Sequence, residues 1–192
     1  MVIGLKPIQN NLFTMQYPHQ FNIDFDQFPN GVLIPIDTNI WQLALYHCNE
    51  HHFEKIIIPK NITHLLFFES DMESLTIPLG IEYCDCSRMG LKVLILLDGI
   101  DTVYCEHNCL KVLHIPHSCT YIFADYNKLV SIMPQYLPNL REISLIDNRL
   151  KHIDLDCPEL LEIDRDVGVT VSQKLREQFA RKSREDYELF KC

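Results

Sequence analysis

The sequence predicts a stacked-repeat solenoid with one curved parallel β-sheet, a short irregular convex side and a C-terminal α-helical cap. Three observations predict it. Apolar residues recur every 19 positions: Phe53, Met72, Leu91, Leu110 and Leu129 form one column, and Ile56, Leu75, Leu94, Leu113 and Ile132 another. A third column, Ile58, Ile77, Leu96 and Ile115, is followed by proline at 59, 78 and 116. Two residues past that site stand Asn61, Gly80, Gly99 or Ser118, all turn formers. A unit this short cannot bury its apolar face alone, whereas stacked copies with strands about 4.8 Å apart can.

Each unit reads Φ-x-x-Φ-x-Φ-P-x-x-Φ-x-x-Φ, with Φ apolar. The alternating part favours a short strand, and the proline ends it because it cannot donate to a ladder. Ile62, Ile81, Ile100 and Cys119, then Leu65, Cys84, Val103 and Ile122, are inward positions on the return. Upstream, Ile34-Pro-Ile36 to Leu43 matches Ile56 to Leu65 at an offset of 22, the extra residues falling in His47–His52. Downstream, Leu140 to Ile153 is a further unit and Leu160 to Ile163 opens a last one. The expected organisation is an N-terminal cap over 1–30, about eight repeats of 19–22 residues over 31–168, and a capping helix over 169–192. Leu12–Met15 and Phe21–Phe25 predict a hairpin or two short strands in the first cap. Thr170-Val-Ser-Gln173 fits a capping box, and Leu175, Phe179, Tyr187 and Phe190 give the following helix a partial apolar stripe.

Leu140-Arg-Glu-Ile143-Ser-Leu145-Ile-Asp-Asn148-Arg-Leu150 fits LxxLxLxxNxL, the signature of the leucine-rich repeat, which the chain resembles. The central units resemble its FNIP subtype, IPxSVTxLxFGxxFN. Ile58-Pro-Lys-Asn-Ile-Thr-His-Leu-Leu-Phe67 matches the first half, and Ile115-Pro-His-Ser-Cys-Thr-Tyr-Ile-Phe-Ala-Asp-Tyr-Asn127 nearly all of it. The Leu91 unit departs, with Leu-Asp-Gly in place of Pro-x-Ser. The resemblance implies a protein-binding scaffold without catalytic residues or cofactor. FNIP repeats are best known from amoebae and the large DNA viruses that infect them. The implied setting is therefore the cytoplasm or, for a viral protein, the virion as a structural component.

Composition narrows the partner classes. The 192 residues are 47% apolar and 22% charged, with Lys+Arg 17 against Asp+Glu 26, a net charge of −9. An acidic chain is poorly suited to a phosphate backbone, so no nucleic acid is expected. The longest apolar run, Leu91 to Leu97, is too short to span a membrane, and the N-terminus has no signal-peptide pattern. Outward strand positions in the middle repeats predict an exposed apolar patch for a protein partner: Ile57, Val93, Ile95, Val112, His114 and Met133, with Lys92 and Lys111 beside it.

The chemical alternative is a Cys/His metal or thiol site on the repeat scaffold, using Cys84, Cys86, Cys105, His107 and Cys109. Against it, Cys84 and Cys119 occupy apolar core columns and there is no CxxC pair, so no metal is expected. A Cys86–Cys105 disulfide fits the stacking, but reduced thiols are expected without other signs of secretion. His47, Cys48, His51 and His52 are expected in a solvated loop with no carboxylate fixed beside them. His47 and His51 would share a face if that loop were helical. Asp154-x-Asp156 and Asp164-x-Asp166 are expected on the wet face of the terminal repeats. Asn61-Ile-Thr63 matches a glycosylation sequon, but Ile62 lies in a core column.

Overall fold

A computed structural model describes residues 19–29, 33, 34, 36, 39–133 and 136–189, with side chains through residue 181. It is a parallel β-solenoid of about eight turns. The Leu12–Met15 segment and the aromatic residues Tyr187 and Phe190 lie outside the described side chains.

Strands come in two rows. The first row is one eight-stranded parallel sheet in spatial order β1 (Gln20–Asp24), β2 (Gln42–Tyr46), β3 (His64–Phe68), β5 (Tyr83–Asp85), β7 (Thr102–Tyr104), β9 (Tyr121–Phe123), β11 (Glu142–Ser144) and β13 (Glu162–Asp164). The second row is broken into pairs: β4 (Ser74–Thr76) with β6 (Val93–Ile95), β8 (Val112–His114) with β10 (Ser131–Met133), and β12 (His152–Ile153) with β14 (Thr170–Val171). The core lies between the rows. Leu65, Cys84, Val103, Ile122 and Ile143 point in from the first, and Leu75, Leu94, Leu113 and Ile132 from the second.

The expectation of one sheet on the first half of each unit is thereby corrected. That half forms the fragmented row, and the return half forms the continuous sheet. The cause is local. Pro59, Pro78 and Pro116 follow the first-half segments and remove ladder donors. The return segments lack proline and are rich in aromatic and branched residues, such as Thr102-Val-Tyr104 and Tyr121-Ile-Phe123.

At the N-terminal end, Phe21–Phe25 alternates as a strand should. However, β1 pairs in parallel with β2, so it is a solenoid strand and the repeat register begins before residue 31. At the other end, α2 spans Gln173–Leu189. Its N-cap is Ser172 rather than Thr170. Ser172 Oγ accepts the Leu175 N–H at 3.4 Å, while Thr170 is held in β14. Leu175 is fully buried in the core, Phe179 packs against it, and Gln178 donates to the Cys157 carbonyl at 2.7 Å.

The turns after the first-row strands repeat one device. His47, Glu69, Arg88, His107, Tyr126 and Asp147 are all left-handed, with φ between 48° and 61°. Each reverses the chain, and the next residue points back inside. At three successive turns that residue is asparagine. Asn108 donates to the carbonyls of Cys86 and Cys105 and accepts from the N–H groups of Met89 and Leu91. Asn127 donates to Cys105 and Ala124 and accepts from Leu110. Asn148 donates to Ala124 and Leu145 and accepts from Leu129. Each amide thus ties its own turn to the preceding one. Ser70 serves the same place with shorter reach, accepting from Cys48 N–H and donating to Phe68.

Asn127→Ala leaves the buried Leu110 N–H without its acceptor, while the Cys105 and Ala124 carbonyls keep the Asn108 and Asn148 amides, and is expected to cost about 1–3 kcal/mol. Urea unfolding followed by circular dichroism measures it. A loss below about 0.5 kcal/mol, within the usual range of a surface substitution, would show that the amide is not a structural tie.

Candidate interaction surfaces

The predicted patch maps onto the outer side of the second row. Val93, Ile95, Val112 and Met133 are 42–50% exposed, and His114 is exposed beside them. Their strand neighbours Leu94, Leu113 and Ile132 are buried, so alternation delivers the outward set. Pairing places Ile95 beside Thr76, Val112 beside Ser131, and His114 beside Met133. Between β6 and β8 the ladder is interrupted, though Cys109 N–H still donates to the Leu91 carbonyl at 2.7 Å.

Ile57 departs from this arrangement. It is 86% exposed but lies in an unpaired segment after the short helix α1 (Glu50–Phe53), outside the β4–β6 ladder. The backbone N–H groups of Lys55 and Ile56 are spent on the carbonyls of His52 and Phe53 as the helix exits. Of the expected basic stripe, Lys92 is ion-paired with Glu73, which holds its ammonium above its ordinary pKa; Lys111 is exposed.

The outer side of the eight-stranded sheet has a different chemistry. One outward column reads Gln20, Gln42, His64, Tyr83, Thr102, Tyr121, Glu142, Glu162. The next reads Asn22, Ala44, Leu66, Asp85, Tyr104, Phe123, Ser144, Asp164. Neither contains Lys or Arg. Rings pack along it: His64 stacks on Tyr83 at 5.2 Å, Tyr83 tilts against Tyr104 at 5.6 Å, and Tyr104 stacks on Phe123 at 4.6 Å. Desolvation raises the Tyr83 phenol to about 12, with the Asp85 carboxylate adding to the rise. Desolvation, then Glu106 and Glu142, raise Tyr104. The period-19 columns had marked these positions only as the return side. The signal that would have revealed the face was the alternation Tyr83-x-Asp85, Thr102-x-Tyr104 and Tyr121-x-Phe123.

His47 corrects the expectation that the His-rich loop has no carboxylate beside it. Its Nδ1 is 2.9 Å from Asp24 Oδ1 and 3.7 Å from Asp26 Oδ2, and its Nε2 is 3.3 Å from Glu69 Oε2. The hydrogen bond to Asp24 raises the His47 pKa and lowers that of Asp24. Among the described residues, Asp24, Asp26 and His47 are the group whose possible ligand atoms converge within 4.8 Å. His47 precedes the helix N-cap Asn49, so it does not share a helical face with His51, whose ring contacts Lys55 Nζ at 2.7 Å.

The five residues of the alternative metal site do not converge. Cys84, Cys86 and Cys105 are fully buried in the core, whereas His107 stacks on Tyr126 at 4.3 Å and Cys109 accepts from Lys128 at 3.2 Å. Cys86 and Cys105 are free thiols. Burial pushes Cys48, Cys119 and Cys157 up to about 12. Cys105 rises well above the ordinary thiol value through burial, and Cys86 through a hydrogen bond with Cys84 as well as burial. Asp156 is ion-paired with Lys174, and Asp166 accepts the N–H of Asp147. Asn61 of the sequon donates to the Ile40 carbonyl at 2.6 Å, and Ile62 is buried. An open cleft of about 640 Å³ lies at one end of the sheet strands, lined by Asp101, Ser118, Thr120, Tyr121, Pro138, Asn139, Arg141 and Glu159. No helix among the described residues is long and apolar enough to cross a membrane.

No family model, curated protein or solved structure matches the chain.

Two predictions follow from these groups. A histidine whose folded pKa is raised stabilises the fold fully below its unfolded pKa near 6.5. That contribution is lost as pH rises through the higher folded value. His47 is therefore expected to titrate above 6.5 by NMR, and Asp24→Asn to bring its midpoint down; an unmoved midpoint would refute the clamp. A thiol reagent added to native protein is expected to modify half-buried Cys109 well before Cys84, Cys86, Cys105 and Cys119. Simultaneous modification of all five would show that the core is open.

Proposed function

We propose that the chain is a non-enzymatic protein-binding scaffold of leucine-rich-repeat type, with the contact on the second-row face. The observation that carries this reading is the exposed apolar row of Val93, Ile95, Val112 and Met133, mounted on strands whose alternate residues anchor the core. Contiguous apolar side chains on a rigid surface gain free energy when a partner covers them.

The repeat type is supported by the asparagine positions. Asn108, Asn127 and Asn148 follow their strands at the place where the LxxLxLxxNxL signature carries its asparagine. The α2 helix serves in this reading as the cap, since Leu175 and Phe179 cover the last turns of the core. A non-enzymatic role is supported by Cys48, Cys119 and Cys157: burial keeps these thiols protonated at neutral pH, unlike a nucleophile held as thiolate. In this reading the scaffold works in the cytoplasm or, for a viral protein, in the virus particle, as the FNIP resemblance implies.

The test is affinity capture from the native source with wild type and with Val93→Asp/Val112→Asp, after both are shown to be folded. A discrete protein retained by wild type and lost from the variant is the expected result. An identical set of captured proteins would remove the contact from this face.

A further inference from the structure

The outer face of the eight-stranded sheet has features that a purely structural face does not need. Across β5, β7, β9, β11 and β13 it carries Asp85, Glu106, Asp125, Glu142, Glu162 and Asp164 on outward or adjoining turn positions. Like charges on neighbouring strands repel, which costs stability. Among the described residues the ion pairs are His47 with Asp24, Asp26 and Glu69, Lys92 with Glu73, and Lys174 with Asp156. None of these pairs supplies a cation to the six carboxylates, although Asp85 and Glu106 accept hydrogen bonds from Ser87, and Asp125 from Ser144 and Ile146. Between the carboxylates runs the track of Tyr83, Tyr104 and Phe123, each ring packed against the next. Carboxylates attract guanidinium and ammonium groups by ion pairing, and the rings between them, packed against one another, offer their edges to the apolar stems of Arg and Lys.

We propose that this face docks an extended, Arg/Lys-rich segment of a partner protein, laid across the strands along the Tyr83–Tyr104–Phe123 track. The eight strands span about 34 Å at about 4.8 Å spacing, so an extended segment of about ten residues crosses the sheet. A long peptide matches this reach better than a small polycation. Arg stems lie over the ring edges while their forks meet the carboxylates on either side. The surface is separate from the Val93–Met133 face and stands or falls on its own variants.

The probe is a fluorescein-labelled peptide of alternating Arg and Ala, about twelve residues long, titrated with the full chain by fluorescence anisotropy. Three variants accompany wild type, each first shown to keep its circular dichroism and melting temperature. Glu106→Gln/Glu142→Gln/Glu162→Gln removes face charge while keeping size. Tyr83→Leu/Tyr104→Leu removes the rings while keeping charge, with Tyr104→Leu alone used if the pair unfolds. Glu54→Gln/Asp98→Asn/Asp154→Asn removes the same charge from exposed positions elsewhere.

The expected result is salt-sensitive binding that weakens about tenfold in the glutamine variant and about fivefold in the tyrosine variant. The remote variant stays within about twofold of wild type. Four results would overturn the proposal: no binding at low salt, an equal loss in the remote variant, no loss on removing the rings, or spermine binding as tightly as the peptide. The second would reduce the effect to net charge, and the last would reassign the face to small polycations.

Discussion

The reversal after each first-row strand is the constraint on which the rest of this structure depends. A parallel solenoid must turn its chain at the same place in every repeat and leave that backbone inside the stack. Left-handed residues at His47, Glu69, Arg88, His107, Tyr126 and Asp147 make the reversal, a conformation costly for any side chain other than glycine. The adjoining amides of Asn108 and Asn127, both buried, and of half-buried Asn148 offset that cost by satisfying backbone carbonyls and N–H groups inside the stack. Met89 occupies the same place without a polar group, and there Asn108 of the next turn supplies the missing acceptor to its N–H. The ladder therefore works between repeats rather than within one, which fits a fold whose units cannot stand alone.

Once the reversal is fixed, the two rows inherit different surfaces. Proline confines the second row to short paired strands, and its outward residues are apolar in the middle repeats, at Val93, Ile95, Val112 and Met133, and polar toward both ends. The first row runs unbroken over eight strands, and its outward residues are aromatic and acidic. The core between them holds the thiols at positions where Leu, Ile and Val stand in neighbouring turns. Burial rather than any ligand or disulfide accounts for their chemistry. One molecule thus presents an apolar face and an anionic, ring-lined face in different directions.

Much of this was written in the chain. The 19-residue period, the proline column and the turn formers established a stacked solenoid of about eight turns, and period-two alternation correctly marked Val93, Ile95, Val112, His114 and Met133 as outward. Side-chain direction in a strand follows directly from parity, so those residues needed no tertiary information. A helix near 171–190 was legible too, because the apolar spacing of Leu175 and Phe179 is local, although its cap was not.

Tertiary structure decided which half of the unit forms the continuous sheet, since both halves alternate and only cross-repeat hydrogen bonding distinguishes them. It decided that Ile57 leaves the patch, because the α1 insertion consumes the backbone donors a ladder would use. It decided that Ser172 rather than Thr170 caps α2, since Thr170 is already committed to β14. It brought Asp24 and Glu69 onto His47 across 23 and 22 residues of sequence, a pairing that stacking creates and no local spacing reveals. The sequence by itself determined period and parity, which are properties of one strand. Adjacency, and with it the charge and ring content of a whole face, existed only once the turns were stacked.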